Sequence, residues 1–200
     1  GLIAIKLLST DKLTWVKQTS GHDQILLVAA SGKAIKFSET DARPMGRDTQ
    51  GVRGINLKGS DYVVGMISFS KTEEKIAGSR VKPFQDLLIV TEKGLGKRTE
   101  IREFPLQKRG GIGVKAARIN DKTGKIVAAK LVDHTTDQVI ITSKKAQVIK
   151  LPFKNIKRIG RDTQGVILMR FAKQADTVAA VTTVNKDMEQ DEVLTLNPIP

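Results

Sequence analysis

The chain has 200 residues, 40% of them apolar and none of them cysteine, so it can bury a sizeable core but holds no disulfide or thiolate metal site, as suits a reducing cytoplasm. Its 34 Lys and Arg against 21 Asp and Glu give a net charge of +13, a surface that attracts polyanions and above all nucleic acid. The 4% aromatic content disfavours a platform for unpaired bases, the apolar runs are too short to span a bilayer, and the N-terminus lacks the three-part layout of a signal peptide.

In chain order, residues 1–7 alternate as a strand and 12–16 supply a second. Residues 25–29 read as a buried strand ended by a turn at Gly32, and the strand after it carries Lys36. A basic, glycine-containing loop follows, and then strands over 51–57 and 62–67. Residues 70–82 read as an exposed loop. The pattern then recurs: a buried strand at 87–91, a turn at Gly94, a strand with Arg98, the basic loop "QKRGGIG" at 107–113, and strands at 113–119 and 126–132. It recurs again with a strand at 139–143, a turn at Lys145, a strand with Lys150, a loop at 160–165, and strands at 165–171 and 177–181.

The recurrence holds residue by residue. "GRDTQGV" at 46–52 returns at 160–166, and "KRGGIGV" at 108–114 aligns with both, at offsets of 62 and then 52. Each unit packs four strands into about 50 residues with no amphipathic helix between them, which predicts an all-β, propeller-like array of four-stranded blades, about four blades' worth. The array covers residues 1–186, with a partial blade at 1–42 and basic loops near 43–54, 105–115 and 157–166; residues 187–200 form an acidic tail. The only charges of that tail are Asp187, Glu189, Asp191 and Glu192, so residues 1–186 carry +17. An array that starts on a blade's later strands reads as a piece of a larger domain.

Glycines in the loops permit positive φ and let backbone N–H groups form a concavity for an anion, while Lys and Arg add charge-assisted hydrogen bonds. A bare corner between blades would also use glycine, but three loops with Arg47, Arg109 and Arg161 at one register place three cations on one rim, as phosphate binding requires. Other motifs carry less. The glycines at 111 and 113 mimic a dinucleotide fingerprint, yet a strand follows them instead of a helix, and residues 94–99 end in Thr99 one place too late for a phosphate loop of nucleotide hydrolases and read as a hairpin turn. His22 and His134 lie in polar segments without metal-ligand spacing and read as solvated; Asp48 and Asp162 suit turns. No nucleophile, acid–base pair or metal cluster stands out, so no catalysis is expected within the chain and no cofactor.

"QKRGGIG" resembles the glycine-rich basic box of the C-terminal domain family of bacterial DNA gyrase A subunits, and 45–55, 96–107 and 160–168 resemble later repeats of that domain. The C-terminal domain family of topoisomerase IV A subunits is a close relative and the alternative that the resemblance leaves open. The resemblance implies a six-bladed β-pinwheel whose basic rim bends duplex DNA and presents a neighbouring segment for strand passage. It further implies two partners, the rest of the gyrase A subunit together with the gyrase B subunit, which use ATP and Mg elsewhere in the assembly, and a cytoplasmic, nucleoid-associated setting. Ile112 stands where the box carries a third basic residue, and the segments before this copy resemble middle blades, which makes the chain the C-terminal part of the pinwheel. Tyr62 lies in a strand and does not match the family's cleavage tyrosine.

The residues assigned to DNA are Lys36, Arg43, Arg47, Gln50, Arg53, Lys97, Arg98, Gln107, Lys108, Arg109, Gly110, Gly111, Gly113, Lys115, Lys150, Arg158, Arg161 and Gln164, and the side chains of Arg47, Arg109 and Arg161 are expected to point into solvent. The acidic tail is expected to compete with phosphate for the rim. A propeller that only displays loops to acidic proteins, and a propeller enzyme, are the competing classes.

Overall fold

A computed structural model describes residues 1–70, 85–172 and 175–186. Its strands are β1 (Gln24–Ala29), β2 (Lys33–Ser38), β3 (Val63–Phe69), β4 (Gln85–Thr91), β5 (Leu95–Glu100), β6 (Val114–Lys115), β7 (Ile126–Asp133), β8 (Thr136–Ser143), β9 (Val148–Pro152), β10 (Val166–Ile167) and β11 (Val178–Asn185). They pair into three antiparallel sheets with the orders β3-β1-β2-β6, β10-β5-β4-β7 and β11-β8-β9. In the first two sheets one outer strand therefore comes from the next repeat. β6 belongs to the second repeat and closes the first sheet, and β10 belongs to the third and closes the second. Each blade is stitched to the next by backbone hydrogen bonds, because a strand edge left unpaired would expose a row of polar groups.

Side-chain alternation along β4 shows how the blades stack. Leu87 and Ile89 enter a core shared with Leu26, Val28, Ile67, Phe69 and Ile126, whereas Leu88 and Val90 enter a second core with Val139, Ile141, Phe153 and Met169. Successive residues of a strand face opposite sides, so one strand serves two interfaces. A blade between two others has no solvent face, and its strands read as continuous apolar runs. At Gly65 of β3 the neighbouring blade comes so near that an added Cβ would stand 2.8 Å from the Ala129 carbonyl oxygen.

The all-β, bladed architecture agrees with the expectation, as do the buried first strands and the hairpins after them. The register also holds in the turns: Gly32 has φ +91° and Gly94 φ +78°, and in the third repeat Ala146 occupies the same place with φ +63°. The expected third strands differ. Residues 113–119 and 165–171 contribute only the two-residue β6 and β10, and residues 1–7, 12–16 and 51–57 form no strand. The reason is local. After β6 the N–H groups of Ala116 and Ala117 both donate to the Gly32 carbonyl (2.8 and 3.2 Å), and after β10 those of Leu168 and Met169 both donate to Gly94 (2.8 and 3.0 Å), so the chain bends over the hairpin turn instead of continuing along its edge. His134, expected to be solvated, is half-buried in the β7–β8 turn with Nδ1 enclosed and without a partner among the described residues; His22 is exposed. Most of the expected 70–82 loop and the whole acidic tail lie outside the described residues.

Candidate nucleic-acid interface

The second and third basic loops lead into β6 and β10, the first is followed by no strand until β3, and hydrogen bonds join the three in series. The N–H of Lys6 donates to Thr49 (3.0 Å), that of Asn56 to Gly111 (2.8 Å) and that of Arg118 to Thr163 (3.0 Å), one bond repeated at equivalent positions. The N–H of Gly110 adds a bond to the Gly54 carbonyl (2.6 Å). Residues 43–56, 108–118 and 160–165 thus form one continuous strip. Glycine makes the strip possible at Gly113, where φ is +69° and a Cβ would lie 2.3 Å from the Ala34 carbonyl oxygen, and at Gly165, where φ is +88° and a Cβ would lie 2.7 Å from that of Gly96.

Along this strip Arg43, Arg47, Gln50, Arg53, Lys108, Gly111, Lys115 and Gln164 are exposed, and Gly110 and Gly113 are half-buried in the loop backbone. Lys150 is also exposed, on β9 of the third sheet. Two of the three register arginines do more than face solvent. Arg109 donates from Nε to the Asp41 carbonyl (2.8 Å) and from Nη1 to that of Arg53 (3.1 Å), and Arg161 donates from Nη1 to the Lys115 carbonyl (3.0 Å), the equivalent of the second bond. They brace each loop on the preceding repeat while remaining half-exposed. Arg47 is exposed and has no such bond among the described residues.

Three cations assigned to DNA turn inward: Lys36 and Lys97 are buried and Arg98 is mostly covered. Lys36 is 8% exposed, and its Nζ donates to the Ile101 carbonyl (3.3 Å); burial lowers its pKa. Lys97 is 1% exposed and donates to Gly160 O (2.8 Å), Arg161 O (2.5 Å) and Thr163 Oγ1 (3.1 Å); burial pulls its pKa down to about 8 against the opposing pull of Glu103 and Asp162. Arg98 lies over the Phe153 ring at 4.6 Å, donates from Nε to Ile156 O (2.9 Å) and reaches Asp86 at 3.4 Å. The physical cause is common to all three: β2 and β5 are covered on both faces, so a cation in either strand enters a seam between blades. Arg158 is shared between the buried Asp86 (2.9 Å) and Glu100 (2.6 Å). Burial raises the Asp86 pKa, opposed chiefly by the hydrogen bond from Arg158. Gln107 is half-buried, with its N–H on the Lys36 carbonyl (2.7 Å) and its Oε1 enclosed.

Acidic side chains temper the strip. Asp41 accepts from Lys108 (3.2 Å), and Asp162 stands between Arg118 and Lys115, each at 3.4 Å; the Arg118 hydrogen bond leads in lowering its pKa. Arg118 is the strip residue that sequence reasoning passed over. Its register with Lys6 and Asn56 was available, but nothing in the sequence showed that this register touches the next loop.

The family model for the DNA gyrase C-terminal domain, a beta-propeller, matches residues 23–70, 85–133 and 137–185. The DNA gyrase A protein of Ureaplasma parvum is 41% identical over 197 residues, which cover 98% of this chain and 22% of that protein, and its Escherichia coli K12 counterpart is 34% identical over 199 residues, covering 98% and 21%. The chain thus spans about a fifth of these relatives. The structure of a DNA gyrase A C-terminal domain superposes with a TM-score of 0.73 at 27% identity over 92% of this chain and 58% of that one. The C-terminal domain of DNA topoisomerase IV gives 0.79 at 21% identity over 96% and 57%, a likeness of fold. With nearly the whole chain aligned to gyrase A proteins and all three sheets inside the family match, the chain belongs to the DNA gyrase A C-terminal domain family.

Proposed function

We propose that the chain binds duplex DNA through its backbone phosphates along the strip of joined loops and bends it, as a non-catalytic part of a DNA gyrase A subunit that works with a gyrase B subunit in the bacterial cytoplasm. The observation that carries this reading is the series of equivalent hydrogen bonds, Lys6 to Thr49, Asn56 to Gly111 and Arg118 to Thr163, which aligns three cation-bearing loops on one surface. A smooth bend over 20–30 base pairs costs about 1–6 kcal/mol, so contacts must be distributed along such a strip. Strand cleavage and the use of ATP and Mg belong to other parts of that enzyme.

The test is titration of fluorescent duplex DNA over a range of salt, with a fluorescence-transfer measurement of bending. Each phosphate neutralised contributes about 0.9 to the slope of log K against log salt, so a steep slope is expected. A slope near zero, or tighter binding to single strands, overturns the reading.

A further inference from the structure

A lysine lies under the 160–165 loop where its repeats have isoleucine. Lys97 aligns with Ile35 and Ile149, and both Lys97 and Ile35 are fully buried. What rests on them differs in kind. Ile35 lies beneath Gly111, whose added Cβ would stand 3.5 Å from Ile35 Cδ1. Lys97 lies beneath Thr163, the residue that aligns with Gly111, and its ammonium group gathers three oxygens of the loop: the Gly160 and Arg161 carbonyls and the Thr163 hydroxyl. The Thr163 hydroxyl in turn donates to the Gly160 carbonyl (2.8 Å), a bond repeated at Thr49 and Gly46 (2.8 Å) in the other "GRDTQG" loop. An apolar floor serves a glycine loop, and an ammonium floor serves a threonine loop. A buried ammonium with three acceptors is well satisfied, and those oxygens would be poorly satisfied by an apolar floor.

We infer that Lys97 is a positioning residue for DNA binding, holding the 160–165 loop in shape from below and placing a positive charge beneath the phosphate path that the 108–113 loop lacks. This rests on the DNA-binding reading above. The charged groups facing Lys97 are Glu103, from the turn after β5, and Asp162 and Arg161, from the loop itself. Glu103 also accepts the Arg161 N–H (3.2 Å), so the turn and the loop close around the ammonium.

Charge linkage gives this role a signature. Burial pulls the Lys97 pKa down to about 8 in the free protein. DNA phosphates favour the charged form, so binding above that pH takes up a proton and weakens as pH rises, whereas below it affinity is flat. The test measures binding to a fluorescent duplex by anisotropy from pH 6.5 to 9.5 at fixed salt, for the full chain and for Lys97→Met and Thr163→Val. Lys97→Met is expected to bind about threefold to tenfold more weakly at pH 7, as for the loss of one loop's phosphate contact, and to lack the fall above pH 8. Thr163→Val removes one acceptor of the charged form, so its fall begins at lower pH. It also reports if Lys97→Met does not fold.

Hydrogen exchange at pH 7, read without DNA, is expected to show faster exchange across 160–165 in Lys97→Met and no change across 108–113. Native affinity with an unchanged pH profile in Lys97→Met, or an unaltered onset in Thr163→Val, overturns the inference. Failure of the unaltered chain to bind duplex DNA overturns the DNA-binding reading instead, and loop exchange then decides whether Lys97 anchors the loop.

Discussion

Replacing Arg109 by Ala separates a brace from a surface cation. The guanidinium holds two backbone carbonyls, Asp41 at 2.8 Å and Arg53 at 3.1 Å, on the preceding repeat. Hydrogen bonds from a charged donor contribute about 1.5–3 kcal/mol each when buried, and the half-exposed setting of Arg109 lets water take over part of that, so about 1 kcal/mol each, or ~2 kcal/mol in all, is expected. For a chain of this size 1 kcal/mol moves Tm by about 2–4 °C, which gives a fall of about 4–8 °C. Arg161→Ala loses the single bond to Lys115 and a 5.9 Å approach to the Phe104 ring, and should fall by about half as much. Arg47→Ala, at the same register but exposed, should stay within about 0.5 kcal/mol of the unaltered chain. Thermal melts followed by circular dichroism at one salt concentration test this order. If Arg109→Ala and Arg47→Ala melt together, the bracing role is refuted and the three arginines are equivalent surface cations.

Gly113→Ala should destabilise by about 3 kcal/mol or more in a urea titration, because positive φ and a Cβ placed 2.3 Å from the Ala34 carbonyl oxygen together break the strand that joins two blades. Ala146→Gly should raise Tm slightly, since Ala146 holds φ +63° where the other repeats have glycine; relief of about 1 kcal/mol of backbone strain outweighs the entropy that glycine adds to the unfolded chain. Ile112→Arg restores a cation at a side chain that is 53% exposed on the strip, and should steepen the salt slope of DNA binding by about 0.9 in a fluorescence titration.

Much of the architecture was legible because it repeats. Offsets of 62 and 52 align strands, turns and loops without any knowledge of contacts; the apolar runs at 25–29 and 87–91 mark strands covered on both faces, and that at 139–143 a strand that sends Val139 and Ile141 into the core it shares with β4. The same arithmetic located the glycine loops, since only glycine tolerates the approach found at Gly113 and Gly165. What the repeat could not supply was the destination of each side chain. A period of two assigns residues to alternate faces, but where blades stack on both sides neither face is solvent, so Lys36, Lys97 and Arg98 appeared to be rim cations and became seam residues. Nor could it show that β6 and β10 would be given to the preceding sheet, because strand exchange is a choice among nonlocal pairings with the same local pattern. That exchange places the loops side by side, and it is the tertiary structure that turns three separate basic segments into one surface.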